Sequence, residues 1–193
     1  MPDSVPDELL WVCHLVYWVP FLVRGQLDRR RGTRAAGATV HAAPYARSLV
    51  AAHTVVTVWT HVGIGLGVTP GTDSPAVRDG MGLVLFVLAC SLAWSCLWVF
   101  RSWRLRAELS STHTLCTDGP FRWLRHPIYA SLSVLGVATV VWWPNVWTVL
   151  GLVGNVVVGE LRGRAEEALL VRAFGERYQD YMARTARWIP GIY

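Results

Sequence analysis

The apolar residues of this chain are gathered into five blocks, close to the length needed to cross a bilayer, with polar and mostly Arg-rich segments between them. The blocks cover about residues 9–23, 48–68, 80–100, 128–143 and 146–159. A soluble domain would scatter such residues at helical or strand period instead. The third block carries no charged residue, and Trp94, Trp98 and Trp103 mark one end of it as a membrane interface. Pro20 near the end of the first block is expected to kink that helix or to end it. His53 and His61 interrupt the second block, so part of it should face protein. The fourth and fifth blocks are joined by Trp142-Trp143-Pro144-Asn145, a turn signal. Together they read as a helical hairpin crossing the membrane twice, or else as a re-entrant pair because each arm is short, with Trp142, Trp143 and Trp147 in an aromatic belt.

Charge sets the orientation. All 18 basic residues are Arg. They cluster between the first and second blocks (Arg24, Arg29, Arg30, Arg31, Arg34, Arg47), between the third and fourth (Arg101, Arg104, Arg106, Arg122, Arg125), and in the tail from Arg162 to Arg187. Arg78 stands by itself between the second and third blocks. By the positive-inside rule the N-terminus lies outside and the C-terminus lies in the cytoplasm. The net charge of +5 is thereby explained by topology, and no nucleic-acid partner is expected. The acidic start, 1–8, lacks the basic stretch of a cleavable signal, so the first block reads as a retained helix. Cys13, Cys90, Cys96 and Cys116 show no metal-ligand spacing. The expected architecture is an all-α integral membrane protein of about five transmembrane helices. Residues 1–110 form N-terminal spans with an Arg-rich loop, and 111–193 form a core capped by a C-terminal cytoplasmic helix.

Two polar segments exceed what topology requires. In 111–129, Asp118-Gly119-Pro120 reads as a turn, and Pro127 should open a helix at its first position after His126. The N–H groups of that helix start, with Arg125 beside them, suit a carboxylate. Arg125-His126 reads equally as a simple marker of the membrane boundary. In 160–181, Arg162 and Glu166 share a helix face. A stripe of Leu170, Phe174, Tyr178, Tyr181 and Thr185 should dock that helix back over the Arg125-His126-Pro127 corner. The residues by themselves define a polar pocket at the cytoplasmic surface.

Arg125-His126-Pro127-Ile128-Tyr129, then Glu166-Glu167, Phe174-Gly175-Glu176-Arg177-Tyr178 and Ile189-Pro190-Gly191, together resemble the isoprenylcysteine carboxyl methyltransferase family, which is related to the membrane phospholipid methyltransferases. The resemblance covers about 111–193, and His113-Thr114-Leu115 adds to it. It implies S-adenosyl-L-methionine as methyl donor, a cytosol-facing cofactor pocket, and a lipophilic or lipidated acceptor arriving from the bilayer. By position, His113, Thr114, Leu115, Cys116, Phe121, His126, Pro127, Ile128, Tyr129 and Glu166 would line the cofactor pocket, and Arg162 would contact the acceptor carboxylate. Arg125 and the helix start at Pro127 would hold the cofactor's carboxylate. Phe121 and Cys116 stand where the eukaryotic members carry Tyr and Val, and the acidic run is shorter, which leaves the acceptor open. The expected location is a bacterial cytoplasmic membrane. Two other readings remain at this point: N-methylation of a phospholipid amine, which would ask more of a base such as His126, His113 or Glu167, and a membrane protein without catalysis.

Overall fold

The computed structural model describes residues 7–30, 45–66, 76–100 and 114–193. Among these the elements are helical: α1 (Asp7–Arg30), α2 (Tyr45–Leu66), α3 (Ala76–Val99), a 3-10 turn (Gly119–Arg122), α4 (Pro127–Trp142), α5 (Val146–Phe174) and α6 (Glu176–Arg184). Three of them, α2, α3 and α5, are long and apolar enough to cross a membrane. With 16 residues, α4 is a shorter apolar helix. Apolar side chains point away from the protein along the long helices, among them Leu15, Leu22, Val55, Val84, Leu88, Val153 and Val157. This is the surface of an integral membrane protein, whose solvent is lipid. The Arg29-Arg30-Arg31 run and Arg34, Arg101, Arg104, Arg106 and Trp103 have no described side chains.

Pro20 lies inside α1, which continues past it to Arg30, so the proline ends nothing. The α4–α5 hairpin forms as its sequence suggests. Asn145 caps α5, its Oδ1 accepting from the N–H groups of Trp147 and Thr148 at 2.9 Å each. The Thr148 hydroxyl faces back to the Asn145 N–H in a capping box. The aromatic belt expected at this turn is only partly there. Trp147 is exposed, but Trp142 and Trp143 are buried in the core with Phe86, Ala89, Leu135 and Tyr17. Gly82 of α3 opens the space that Trp142 fills, and the indole donates to the Asp79 carbonyl at 3.2 Å.

Helix α3 packs on α4, and α2 packs on α5. The second pair approaches closely because glycines face the partner. A Cβ on Gly63 would meet Trp147 Cβ at 2.6 Å, and Gly151 faces Thr60. In lipid, where apolar contact alone gives no preference for protein over acyl chain, such small residues make the packing specific.

The fifth apolar block and the polar segment after it form one continuous helix of 29 residues. The stripe expected on a single long helix is instead divided at Gly175. That residue has φ +56°, a left-handed value that glycine adopts without strain. The turn sends α6 back toward the 3-10 segment, burying Tyr178 and Tyr181. The Tyr181 hydroxyl donates to the Phe121 carbonyl at 2.6 Å. The buried large apolar residue of α5 is Leu169, next to the Leu170 of the expected stripe.

Candidate functional site

Pro127 occupies the first turn of α4 after His126, as its sequence requires. The segment before it is pinned by the C-terminal chain. The Arg125 N–H donates to the Ala186 carbonyl at 2.8 Å, the His126 N–H to Arg187 at 3.1 Å, and the Ala186 N–H returns to Trp123 at 3.0 Å. This short parallel bridge fixes the Arg-His-Pro corner against the chain that follows α6. Gly163 lets the His126 ring lie on that helix: a Cβ there would sit 3.3 Å from the imidazole.

Glu167 is the hub beneath the corner. Its carboxylate is buried and accepts from Arg125 Nε at 2.7 Å, Arg187 Nη2 at 2.6 Å and Nε at 3.1 Å, and His126 Nε2 at 3.3 Å. Arg125 Nη1 also donates to the carbonyls of Met182, at 3.0 Å, and Thr185. The Glu167 bond, outweighing partial burial, holds the Arg187 guanidinium above its ordinary pKa. Much of Arg125 is thus committed to structure, and Arg187, read from sequence as one of the orienting charges of the tail, is a clamp. Arg187 also reaches Glu160 at 2.8 Å. Trp188, next in the chain, packs against the Tyr129 ring and into the space left by Gly159.

Beside this hub, Tyr129, Arg162 and Glu166 face a cavity. The Tyr129 hydroxyl donates to Glu166. Glu166 also lies 3.7 Å from His126 Nδ1 and 3.7 Å from Arg162 Nη2. The Arg162 guanidinium lies 5.2 Å above the Tyr129 ring centre, and the Tyr129 ring stacks on His126. The shared face of Arg162 and Glu166 does fold over the Arg125-His126-Pro127 corner.

These groups form the polar end of a cavity of about 950 Å³. Leu115, Cys116, Phe121, Arg125, His126, Pro127, Ile128, Tyr129, Arg162 and Glu166 all line it. Thr114 is exposed, and His113 lies outside the described residues. Burial raises the Cys116 thiol above its ordinary pKa. The rest of the cavity is mostly apolar and is walled by α1 and α2, where Trp11, Trp18, Leu22, Val58 and Val62 line it together with Thr54, Thr57 and His61. His53 of α2 joins the two ends: Arg162 Nη1 donates to its Nδ1 at 3.2 Å, and its Nε2 bonds Asn155 Oδ1 at 2.8 Å. In the sequence His53 marks only a protein-facing side of α2. Its signal was present, since a polar ring within an apolar span needs a buried partner.

The model of the isoprenylcysteine carboxyl methyltransferase family matches residues 81–172. Over this stretch the chain is similar to that family. The match begins in α3, earlier than the motifs suggest, and takes in α4 and all but the last two residues of α5. Protein-S-isoprenylcysteine O-methyltransferase of Mus musculus is 35% identical over 91 residues, covering 46% of this chain and 31% of the mouse protein. The Homo sapiens protein is 34% identical over 88 residues, 44% of this chain and 30% of its own length. The similarity therefore spans about a third of these relatives. A solved eukaryotic intramembrane Ras methyltransferase of the family shares the fold, with a TM-score of 0.50 at 21% identity over 76% of this chain and 53% of that one.

Proposed function

We propose that this cavity is a methyl-transfer chamber: S-adenosyl-L-methionine binds at its polar end, and a lipophilic, isoprenylcysteine-like acid enters from the bilayer with its carboxylate on Arg162. The observation that carries this reading is that one cavity has two unlike ends. Its mostly apolar end is walled by α1 and α2, and its polar end presents Arg162, Glu166, His126 and Tyr129. Its volume lies near the top of the range of roughly 300–1,000 Å³ for small-molecule sites, which suits two ligands meeting.

The donor set fits the cofactor. Glu166 accepts from hydroxyl or amino groups, and the Phe121 ring offers a face to a cation. We assign Arg125 Nη2 and the N–H groups at the Pro127 helix start to its carboxylate. Leu115, Cys116, Pro127 and Ile128 supply the apolar walls, with His113 and Thr114 at the entry. When bound, the cofactor supplies a methyl group already activated on a sulfonium. The chain's own task is alignment and exclusion of water. Arg162 presents a planar fork that fixes a carboxylate through two hydrogen bonds. His126, held by Glu167, keeps its other edge toward Glu166. An acid with a pKa of about 4 is ionised at neutral pH, so no side chain has to remove a proton. The family resemblance and the alternating Arg clusters support a cytoplasmic position for this end and an outside N-terminus.

The test is titration of the purified protein with S-adenosyl-L-methionine, followed by transfer of labelled methyl to a prenylated thioacetic acid. Glu166→Ala should weaken cofactor binding. Arg162→Ala should leave cofactor binding nearly intact and abolish turnover. Absence of cofactor binding by the wild type would overturn the reading. Methylation of a phospholipid amine in place of the acid would move it to headgroup chemistry.

A further inference from the structure

We infer that His53, held by Asn155, is the positioning residue for Arg162 and so sets the affinity for the acceptor's carboxylate; this rests on the methyltransferase reading above. The hydrogen bonds allow one arrangement. Arg162 has only donors, so the His53 Nδ1 it reaches at 3.2 Å must carry a lone pair. The ring proton is then on Nε2, and the atom 2.8 Å from it must be the Asn155 oxygen, not its amide nitrogen. The chain of donors Arg162 to His53 to Asn155 is satisfied only with a neutral ring in this tautomer.

The three residues come from two helices that both qualify as membrane spans, α2 and α5. Polar groups at such positions are expensive and mark function. His53 is 4% exposed, so the bond is shielded from water competition. Its role follows from what else Arg162 can reach. Glu166, one turn along on the same helix, lies 3.7 Å from Nη2, too far for a full hydrogen bond. With His53 removed, a small side-chain rotation closes that ion pair and folds the fork onto Glu166. His53 on one side and the Tyr129 ring 5.2 Å away on another hold the guanidinium in the cavity instead. The closed pair would leave Arg162 without its edge for a carboxylate, while Glu166 stays in place.

The effect should therefore fall on the acceptor. Equilibrium binding of a radiolabelled prenylated thioacetic acid is measured on full-length protein in lipid nanodiscs, with steady-state kinetics and cofactor titration beside it. His53→Ala should raise the acceptor Kd and KM roughly tenfold or more, the loss expected for a hydrogen bond to a charged group. Cofactor Kd should stay within about twofold, which also reports that the variant is folded. His53→Gln, whose amide oxygen accepts the same bond, should recover part of the loss. Asn155→Leu should shift acceptor binding in the same direction by less. In an Arg162→Ala background, His53→Ala should have no further effect on acceptor Kd. Unchanged acceptor Kd in His53→Ala, or an added loss on top of Arg162→Ala, overturns the assignment while leaving the methyltransferase reading intact. Wild-type protein that does not bind the acid overturns both.

Discussion

Removing the Glu167 carboxylate should cost this protein more than any single polar substitution at the cavity rim. Glu167→Ala leaves two guanidinium groups facing the space of one lost anion, and their side chains are only 11% (Arg125) and 16% (Arg187) exposed. Breaking a buried ion pair by deleting one partner costs about 3–5 kcal/mol. Arg125 keeps its bonds to Met182 and Thr185, and Arg187 keeps Glu160, so the lower half of that range, about 3–4 kcal/mol, is the expected value. At roughly 2–4 °C per kcal/mol for a domain of this size, the melting temperature should fall by about 10 °C. Thermal unfolding in a mild detergent, followed by tryptophan fluorescence, is the assay. Glu167→Gln keeps the volume and one acceptor and should lose less. Adding Arg187→Met to Glu167→Ala should restore part of the loss, because one uncompensated charge disappears with it. A Glu167→Ala protein within about 1 kcal/mol of wild type would refute the hub, since only a solvated ion pair costs so little.

Asn145→Ala should lower stability by about 0.5–2 kcal/mol through loss of the α5 capping box, read from the same melts. Gly63→Leu should prise α2 from α5 at Trp147 and cost about 1–3 kcal/mol, with acceptor binding lost more steeply than cofactor binding because α2 carries His53. Cys116 should alkylate slowly with maleimide at neutral pH. Only the thiolate reacts, and burial raises this thiol above its ordinary value. The rate should therefore keep climbing at pH values where a free thiol has levelled off. Bound S-adenosyl-L-methionine should protect Cys116, and failure to protect would remove it from the cofactor wall. A reporter fused after Tyr193 should be active in the cytoplasm; activity confined to the far side would invert the topology.

The sequence carried the helices and the corner more clearly than the wiring between them. Block length and Pro127 announce α3, α4 and the hairpin, because apolar run and missing N–H act locally. The Arg162/Glu166 face is legible too, being a consequence of helical spacing. Arg187 was not: among 18 Arg residues distributed by topology, nothing local separates a clamp from an orienting charge. Gly175 was read through as part of one helix, because an apolar stripe at helical period continues across it. Trp142 and Trp143 look like interface residues until α3 is known to offer Gly82. The His53–Asn155 pair joins residues 102 apart, and only the packing of α2 on α5 shows that they meet.

Helix α5 has a consequence of its own for the lipid around it. Its 29 residues extend about 43 Å at a rise of 1.5 Å per residue, against a hydrocarbon core of about 30 Å. The same unbroken rod holds Val153 and Val157 toward lipid and carries Arg162, Glu166 and Glu167 on its far portion. A thicker or thinner bilayer changes its tilt, and the charged groups move with it as one piece. Under the function proposed above, the depth at which an acid's carboxylate would meet Arg162 is therefore coupled to membrane thickness. Turnover should pass through an optimum as acyl chains in the nanodisc are lengthened, even though no lipid touches the reacting atoms.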